Sequence, residues 1–430
     1  MDSNSSARDF LTSLFRNATA AAHPATCLQR HLPDPPSGKL IVLAAGKAAG
    51  SMTEVAESYY LDRDRLRPNN LTGIAVARHG YGRPTRRIAM IEAGHPVPDA
   101  AGLEATARAL ALAGEATAND LVLVLMSGGA SANWTAPAEG VSFADKQAVT
   151  RALLRSGANI SEINCVRKHL SRIKGGRLAR IAQPARVVTL AISDVPRDEP
   201  SAIGSGPTVP DPTTLADAQA IVARYKLDLP DSVTRALNDP NNESPKPGDP
   251  IFANTSFTLI ARPADALAAA EREARAAGYD CILLGDRVEG EARDVAAAHG
   301  KLARELASQG KRAVILSGGE LTVTIRGKGR GGPNQEYALA LAIALDGSAI
   351  RAIAGDTDGT DGGGGSADDP AGAYVDGTTA MRARQRGLDP AAFLADNDST
   401  GFFEALGDLL MPGPTFTNVN DFRAIVVDSP

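Results

Sequence analysis

The chain has 430 residues, a length that suits two or three domains of roughly 100 to 200 residues each and leaves room for a large core. A net charge of −5 supplies no broad positive field for nucleic acid or an anionic membrane surface. Cys27, Cys165 and Cys281 are odd in number, far apart and outside any CxxC spacing. That excludes a disulfide framework and a cysteine zinc site, and it points to reducing cytosol.

The N-terminus lacks the basic start and long apolar run of a secretory signal. Residues 9–22 instead read as an amphipathic helix with Phe10, Leu11, Leu14 and Phe15 on one side. No segment approaches the roughly 18 apolar residues of a membrane span. Apolar runs of strand length then recur at 40–45, 74–77, 121–126, 187–192, 281–284, 313–316, 351–354 and 424–427. Alanine-rich stretches at 102–115, 145–156, 214–225, 263–277 and 291–308 read as helices between them. Strand and helix in alternation imply crossover units, hence an α/β protein with a mainly parallel sheet that binds ligands beyond the strands' carboxyl ends. The proline- and asparagine-rich stretch 238–249 has no apolar period and predicts a division into domains 1–240 and 241–430. The glycine run 362–365 is too short to be a linker.

Six joints in this pattern carry chemistry. In IVLAAGKAAGSM the strand ends at Gly46, and Lys47 opens a helix, where a cation opposes the helix dipole by about 0.3 to 1 kcal/mol. A bound anion would reverse that cost, whereas a solvated lysine would not need one. In LVLVLMSGGASA, Ser127, Gly128, Gly129 and Ser131 follow the most apolar strand, and consecutive glycines let backbone amides turn toward an anion. A plain tight turn is the alternative. The third joint, residues 163–179, gathers Arg167, Lys168, His169, Arg172, Lys174 and Arg177 around a Gly-Gly break. Most of these read as a solvated basic face, with one or two left to reach a phosphate or carboxylate.

The fourth joint ends a strand at Ser193 and Asp194 and runs into the turn Gly204, Ser205, Gly206, Pro207, Thr208. Asp194 suits deprotonation of a hydroxyl, while Asp198 reads as a loop cap. The fifth repeats the SGG turn at Ser317, Gly318 and Gly319, predicts a strand ending at Arg326, and places a G-x-G-x-x-G match at 327–332. Between strand and helix that match resembles a dinucleotide site, with Asp356 about twenty residues on, so an NAD(P)H-dependent reductase stays open. The sixth clusters Asp356, Asp358 and Asp361, hard oxygen ligands suited to Mg²⁺ or else a solvated acidic turn.

Taken in order, GKAAGSM, SGGASA, NCVRKHLSRIKGGRLA, SDVPRDEPSAIGSGPT, SGGELTVTIRGKGRGGPNQE, GDTDGTDG and TNVND resemble the class II glycerate 2-kinases, the family with the MOFRL C-terminal domain. The resemblance spans nearly the whole chain. It implies phosphorylation of D-glycerate at the 2-hydroxyl by ATP with Mg²⁺, in a cleft between a Rossmann-like three-layer N-terminal domain and a smaller α/β C-terminal domain. Members are often labelled hydroxypyruvate reductases. On this resemblance Lys47 is the catalytic lysine, and the loops with Gly46, Ser127–Ser131, Gly204–Thr208 and Ser317–Gly319 hold phosphates. Asp194 would orient or deprotonate the hydroxyl, and Arg167, Lys174, Asn334 and Glu336 would contact substrate. Asp356, Asp358 and Asp361 would anchor Mg²⁺. Many relatives read GGRNQE where this chain has Pro333, which cannot supply an arginine's charge; Arg330 three residues earlier is the expected substitute, and an altered substrate or weakened activity is the alternative. Partners would be glycerate and ATP alone, in a monomer or homodimer.

Overall fold

The computed structural model describes residues 3–362, 366 and 368–428, so part of the glycine run 362–365 lies outside the described residues. It divides into two compact units: Leu28–Ile260, and Ala261–Pro430 together with Met1–Cys27. The first is built on β1 (Leu40–Ala45), β2 (Leu71–Arg78), β3 (Ala89–Ala93), β4 (Leu121–Met126), β5 (Arg186–Ile192) and β6 (Thr255–Ala261). They form one six-stranded parallel sheet in the order β3-β2-β1-β4-β5-β6, that of the doubly wound dinucleotide-binding fold. β1 and β4 are buried along their whole length, as continuous apolar runs require when both faces are covered. On the helix Ala100–Gly114, Ala105, Ala109 and Ala113 recur at four-residue spacing and pack against Ile74, Val76, Val122 and Val124. Their small side chains let the helix lie close to the sheet. Asp99 caps it, accepting from the Gly102 amide at 2.9 Å.

Strand order reverses between β1 and β4, both of which start from the centre of the sheet and lead outward in opposite directions. Their ends are level, since Ala45 pairs with Val76 on one side and Met126 on the other. The loops that leave them therefore meet at the topological switch point, where open α/β sheets bind ligands.

The second unit contains β7 (Asp280–Gly285), β8 (Gly290–Glu291), β9 (Ala313–Ser317), β10 (Leu321–Thr322), β11 (Arg351–Asp356), β12 (Gly372–Asp376), β13 (Leu409–Leu410) and β14 (Asp421–Val427). Its main sheet is mixed, in the order β13-β12-β11-β14-β9-β7, with β7 and β9 parallel and the other pairs antiparallel. β8 and β10 pair separately. The strand expected to end at Arg326 stops at Thr322 instead, and Ile325 is 81% exposed. Its alternating pattern has no neighbouring edge to pair with beyond β8.

All eight strands expected from apolar runs are present, and so are the six expected helices. The domain division differs from the one expected at residue 240. Helix Ser3–Ala22 buries Leu11, Leu14 and Phe15 in the second unit, where Phe15 meets Phe422 edge to face at 6.0 Å. The stretch 238–249 is no linker but a loop tied down within the first unit. Arg177 donates to the Asn242 carbonyl, Glu243 accepts from His169, and Ser244 donates to Asp211 at 2.9 Å. The chain then completes the sheet as β6 before it leaves. Among the described residues no helix is long and apolar enough to cross a membrane.

Candidate active site

At the switch point the loops after β1 and β4 are locked together. Gly46 has φ 115°, and a Cβ there would lie 2.5 Å from the Ser127 carbonyl oxygen. The Lys47 amide donates to the Gly128 carbonyl at 2.8 Å, and the Ala48 amide to Ser127 Oγ at 2.8 Å. Gly129, at φ 85°, is flanked by His95 and by Lys47, whose Cγ would lie 3.4 Å from an added Cβ. Ser127 is thus a loop clasp, with its hydroxyl already engaged. The amides of Gly128 and Gly129 have no protein acceptor among the described residues. Two adjacent open N–H groups are what an anion nest requires.

Beside this turn lies Ser131. Its Oγ accepts from Arg167 Nη2 at 3.0 Å and from Lys174 Nζ at 2.8 Å, and it lies 2.9 Å from Ser205 Oγ. With both lone pairs taken by cations, the Ser131 hydroxyl donates to Ser205. Lys174 also donates to the Ser131 carbonyl at 2.8 Å and is 1% exposed. Neither Arg167 nor Lys174 has a carboxylate at ion-pair distance among the described residues. Burial pushes the Lys174 ammonium well below the usual lysine range, and Arg167 and Lys146 push it further. Burial likewise lowers Arg167. Lys174, a buried cation without a counter-charge, costs several kcal/mol, so the fold is not what it serves.

The rest of the basic stretch is structural. It forms two helices, Ile160–His169 and Arg177–Ile181, separated by Gly175 and Gly176 at φ 59° and 79°. Lys168 pairs with buried Asp211 at 3.2 Å, His169 bonds the Cys165 carbonyl and Glu243, and Arg177 binds three carbonyls. The Gly-Gly break receives the Gly204–Thr208 turn, with Gly175 N donating to the Ser205 carbonyl at 3.0 Å and Gly176 N to the Gly206 carbonyl at 2.8 Å. Thr208 is a buried crosslink to Thr189 at 2.7 Å and faces no open space. Asp194 is half-buried just past β5. The next turn holds Arg197 and Asp198 at φ 67° and 54°, left-handed values that cost about 1 to 3 kcal/mol each.

In the second unit the structure separates the expected site residues. The G-x-G-x-x-G loop is packed against residues 396–399, which an added Cβ at Gly327, Gly329 or Gly331 would strike. Its amides are spent there: Arg326 and Gly327 donate to Asn397, Lys328 to Asp396 and Arg330 to Asp398. A loop whose amides bind its own protein cannot cradle a pyrophosphate. Pro333 opens the helix Pro333–Ala344 at its first position, where its fixed φ costs nothing. Arg330 forms an exposed ion pair with Glu404 at 3.0 Å. Glu336 is buried against Arg293 and Asn397, as a packing partner and not a free contact.

Asp361 caps that same helix. Its Oδ1 accepts from Asn334 N at 3.0 Å and its Oδ2 from Gln335 N at 2.8 Å, with both side-chain amides adding further bonds. Burial nevertheless raises its carboxyl to about 7, with the neighbouring Asp421 contributing in the same direction. Asn334 bridges Asp361 to Asp421, which is held by Arg423. Arg423 also donates to the Gly318 carbonyl at 3.0 Å, and the Gly318 amide donates to Gly285. Ser317 and Gly319 thus belong to a turn fixed from below by β14. Asp358 Oδ1 accepts from the Thr360 amide at 2.7 Å. Among the described residues no three His, Cys, Asp or Glu are grouped to hold a metal ion. Asp356, Asp358 and Asp361 do not fit a three-carboxylate Mg²⁺ cage, because Asp361 is committed to the helix end.

Two groups of this architecture escape a reading of motifs. Arg423 lies inside a terminal strand, whose apolar residues hide it, although Asp421 beside it closes the TNVND motif. Lys146 lies in helix Phe143–Arg155 in register with buried Val149 and Leu153, and that placement on an apolar stripe is the signal that it is buried.

Residues 313–421 match the MOFRL family, and residues 10–238 match a domain of unknown function, DUF4147. A D-glycerate 2-kinase of Thermotoga maritima is 38% identical over 415 residues, covering 95% of each chain. The chain belongs to the MOFRL-domain glycerate kinase family. The crystal structure of a glycerate kinase from Thermotoga maritima superposes with a TM-score of 0.87 at 36% identity, covering 98% of this chain and all of that one. An Agrobacterium vitis protein that is 47% identical, over 98% of this chain and 95% of its own, is named only provisionally as a hydroxypyruvate reductase. Within the glycerate kinase family the glycine loop 327–332 is accounted for by its packing on residues 396–399. A dinucleotide is not needed to explain it.

Proposed function

We propose that this chain transfers the γ-phosphoryl group of ATP to the 2-hydroxyl of D-glycerate, giving 2-phosphoglycerate and ADP. One observation supports it above the rest: buried Lys174 and half-buried Arg167 meet at Ser131 without carboxylates, beside the open amides of Gly128 and Gly129, at the switch point of the parallel sheet. Phosphoryl transfer is mainly positioning and charge stabilisation, and these are its components. The choice of D-glycerate and of the 2-position rests on the name of the Thermotoga relative.

In this reading Arg167 and Lys174 take the anionic end of the substrate, and Lys47 neutralises the transferring group. Asp194, past the adjacent strand, receives the hydroxyl proton. The turns at Gly128–Gly129 and Gly204–Gly206 would approach the phosphates. Mg²⁺ would enter with the nucleotide, held chiefly by phosphate oxygens and water, as this ion commonly is. Three free cysteines support a cytoplasmic location.

Incubation with D-glycerate, ATP and Mg²⁺ is expected to yield 2-phosphoglycerate, resolved from the 3-isomer by isomer-specific coupling enzymes. Loss of NADH with hydroxypyruvate and no phosphoglycerate would defeat the proposal. Lys47→Ala is expected to fold normally and to lower kcat by about 10² to 10³, the usual cost of one electrostatic contact to the transition state. Arg330→Ala is expected to keep turnover within about threefold. Its guanidinium is spent on an exposed pair with Glu404, and such pairs contribute little. A large loss of kcat in that variant would restore Arg330 as the substitute for the arginine missing at Pro333.

A further inference from the structure

We infer that Lys146 is a positioning residue for the Arg167–Lys174 anion site, acting through main-chain carbonyls without touching substrate. This rests on the reading of that cluster as the substrate's anion site.

Two segments must be held in register for the site to exist. One carries Ser131; the other carries Arg167 and Lys174. They meet at a single antiparallel bridge, Pro137 with Ser171. There the Ala138 amide donates to the Leu170 carbonyl at 3.1 Å, and the Arg172 amide to the Ala136 carbonyl at 3.0 Å. Lys146 Nζ reaches those same two carbonyls, at 3.1 Å from Leu170 O and 3.5 Å from Ala136 O. One ammonium group therefore closes both hydrogen-bonded sides of the bridge. A two-bond bridge alone is a weak joint; a third, charged donor shared by both carbonyls stiffens it.

The surroundings of Lys146 make it responsive to what the site holds. It is 7% exposed, and the charged groups acting on it are Arg167 from the following helix and Arg172 and Arg177 from the chain beyond the bridge. Lys174 is coupled to it as well. Asp211, which acts on Arg177, is committed to Lys168 at 3.2 Å and to Thr213 at 2.8 Å. Burial, with the three arginines adding, brings the Lys146 ammonium down to about 7. Arrival of an anion beside Arg167 and Lys174 favours its charged form, and a charged Lys146 in turn holds the bridge and deepens the positive potential. Raising the pH removes that proton and loosens the clamp.

The test is steady-state kinetics with D-glycerate, ATP and Mg²⁺ between pH 6 and 8.5, on Lys146→Met and Lys146→Arg. The unsubstituted protein should show KM for glycerate rising through pH 7. Lys146→Met, of similar length, should show KM about tenfold higher at pH 6 with kcat within about threefold, and no further rise. Lys146→Arg cannot lose its charge in this range and should keep KM low throughout. A purely structural lysine would lower stability in both variants and leave the pH profile alone. Wild-type profiles in both variants would overturn the inference. So would loss of KM and kcat together in folded Lys146→Met. If that variant does not fold, Lys146→Arg decides alone, and a wild-type rise in it overturns the inference. Lys174→Met is the control: if it binds glycerate unchanged, the anion-site reading fails, independently of Lys146.

Discussion

Lys174→Met should melt at a higher temperature than the unsubstituted protein while losing about a hundredfold in kcat/KM for glycerate. The stability gain comes from removing a buried ammonium whose neighbours, Arg167 and Lys146, carry the same charge. Taking such a charge out of water costs several kcal/mol. The two hydrogen bonds it makes to Ser131 return about 1 kcal/mol each. Methionine has nearly the same reach and no charge to desolvate, so the balance favours it. The activity loss follows from deleting one charged contact to an anion, about 1.5 to 3 kcal/mol, or ten- to somewhat more than a hundredfold. Calorimetry and initial rates measured on one preparation decide the matter. Lower melting with intact kcat/KM would make Lys174 a structural residue.

The same residues set a pH dependence whose sign is opposite to that of a salt-bridged lysine. Lys146 and Lys174 have folded-state pKa values below the ordinary lysine value, about 7 for Lys146. Above pH 7 the unfolded chain binds protons that the folded chain has released at Lys146, so stability from this source rises with pH toward the ordinary lysine pKa. Below pH 7 the Lys146 ammonium is charged in both states, and its full cost is present. Asp361 runs the other way. Raised to about 7, it contributes stability below the ordinary carboxyl range that is lost as pH climbs to 7.

How much of this was legible beforehand depended on whether a residue's environment is written in its neighbours. β1 and β4 are buried and apolar throughout, and β5 and β9 nearly so, broken only by Arg186 and Thr189 in the one and Ser317 at the end of the other, so they could be located from sequence. β3 and β6 are edge strands of mixed burial, Ala89–Ala93 and Thr255–Ala261, and no apolar run marks them. Ser131, Arg167 and Lys174 stood in recognisable motifs, but nothing in the spacing distinguished them from Lys168 or Arg177. The distinction lies in where each cation's bonds go: Asp211, far along the chain, pairs with Lys168, and three main-chain carbonyls take Arg177. The glycine loop 327–332 misled for the same reason: its meaning lies in residues 396–399, which a local pattern cannot see.

Gly46→Ala should be among the most damaging single substitutions in the chain, at about 3 kcal/mol or more, with activity lost even in the fraction that stays folded. Two costs combine. At φ 115° any side chain is strained. The new Cβ would also meet the Ser127 carbonyl oxygen at 2.5 Å and the Gly128 carbonyl oxygen at 2.8 Å, which are backbone atoms and cannot swing aside. Gly140→Ala separates the two, since Gly140 has φ 74° but nothing within 4 Å of an added Cβ. It should cost only about 1 kcal/mol in urea unfolding, the conformational part alone. The excess at Gly46 then measures the close approach itself. That approach is what allows the Lys47 amide to reach the Gly128 carbonyl and the Ala48 amide to reach Ser127 Oγ. Forcing the loops apart must carry Lys47 away from Gly129 and its open amide, so stability and catalysis fail together here, whereas at Lys174 they part. Equal costs at Gly46 and Gly140 would show that the two loops are not locked in the way their hydrogen bonds require.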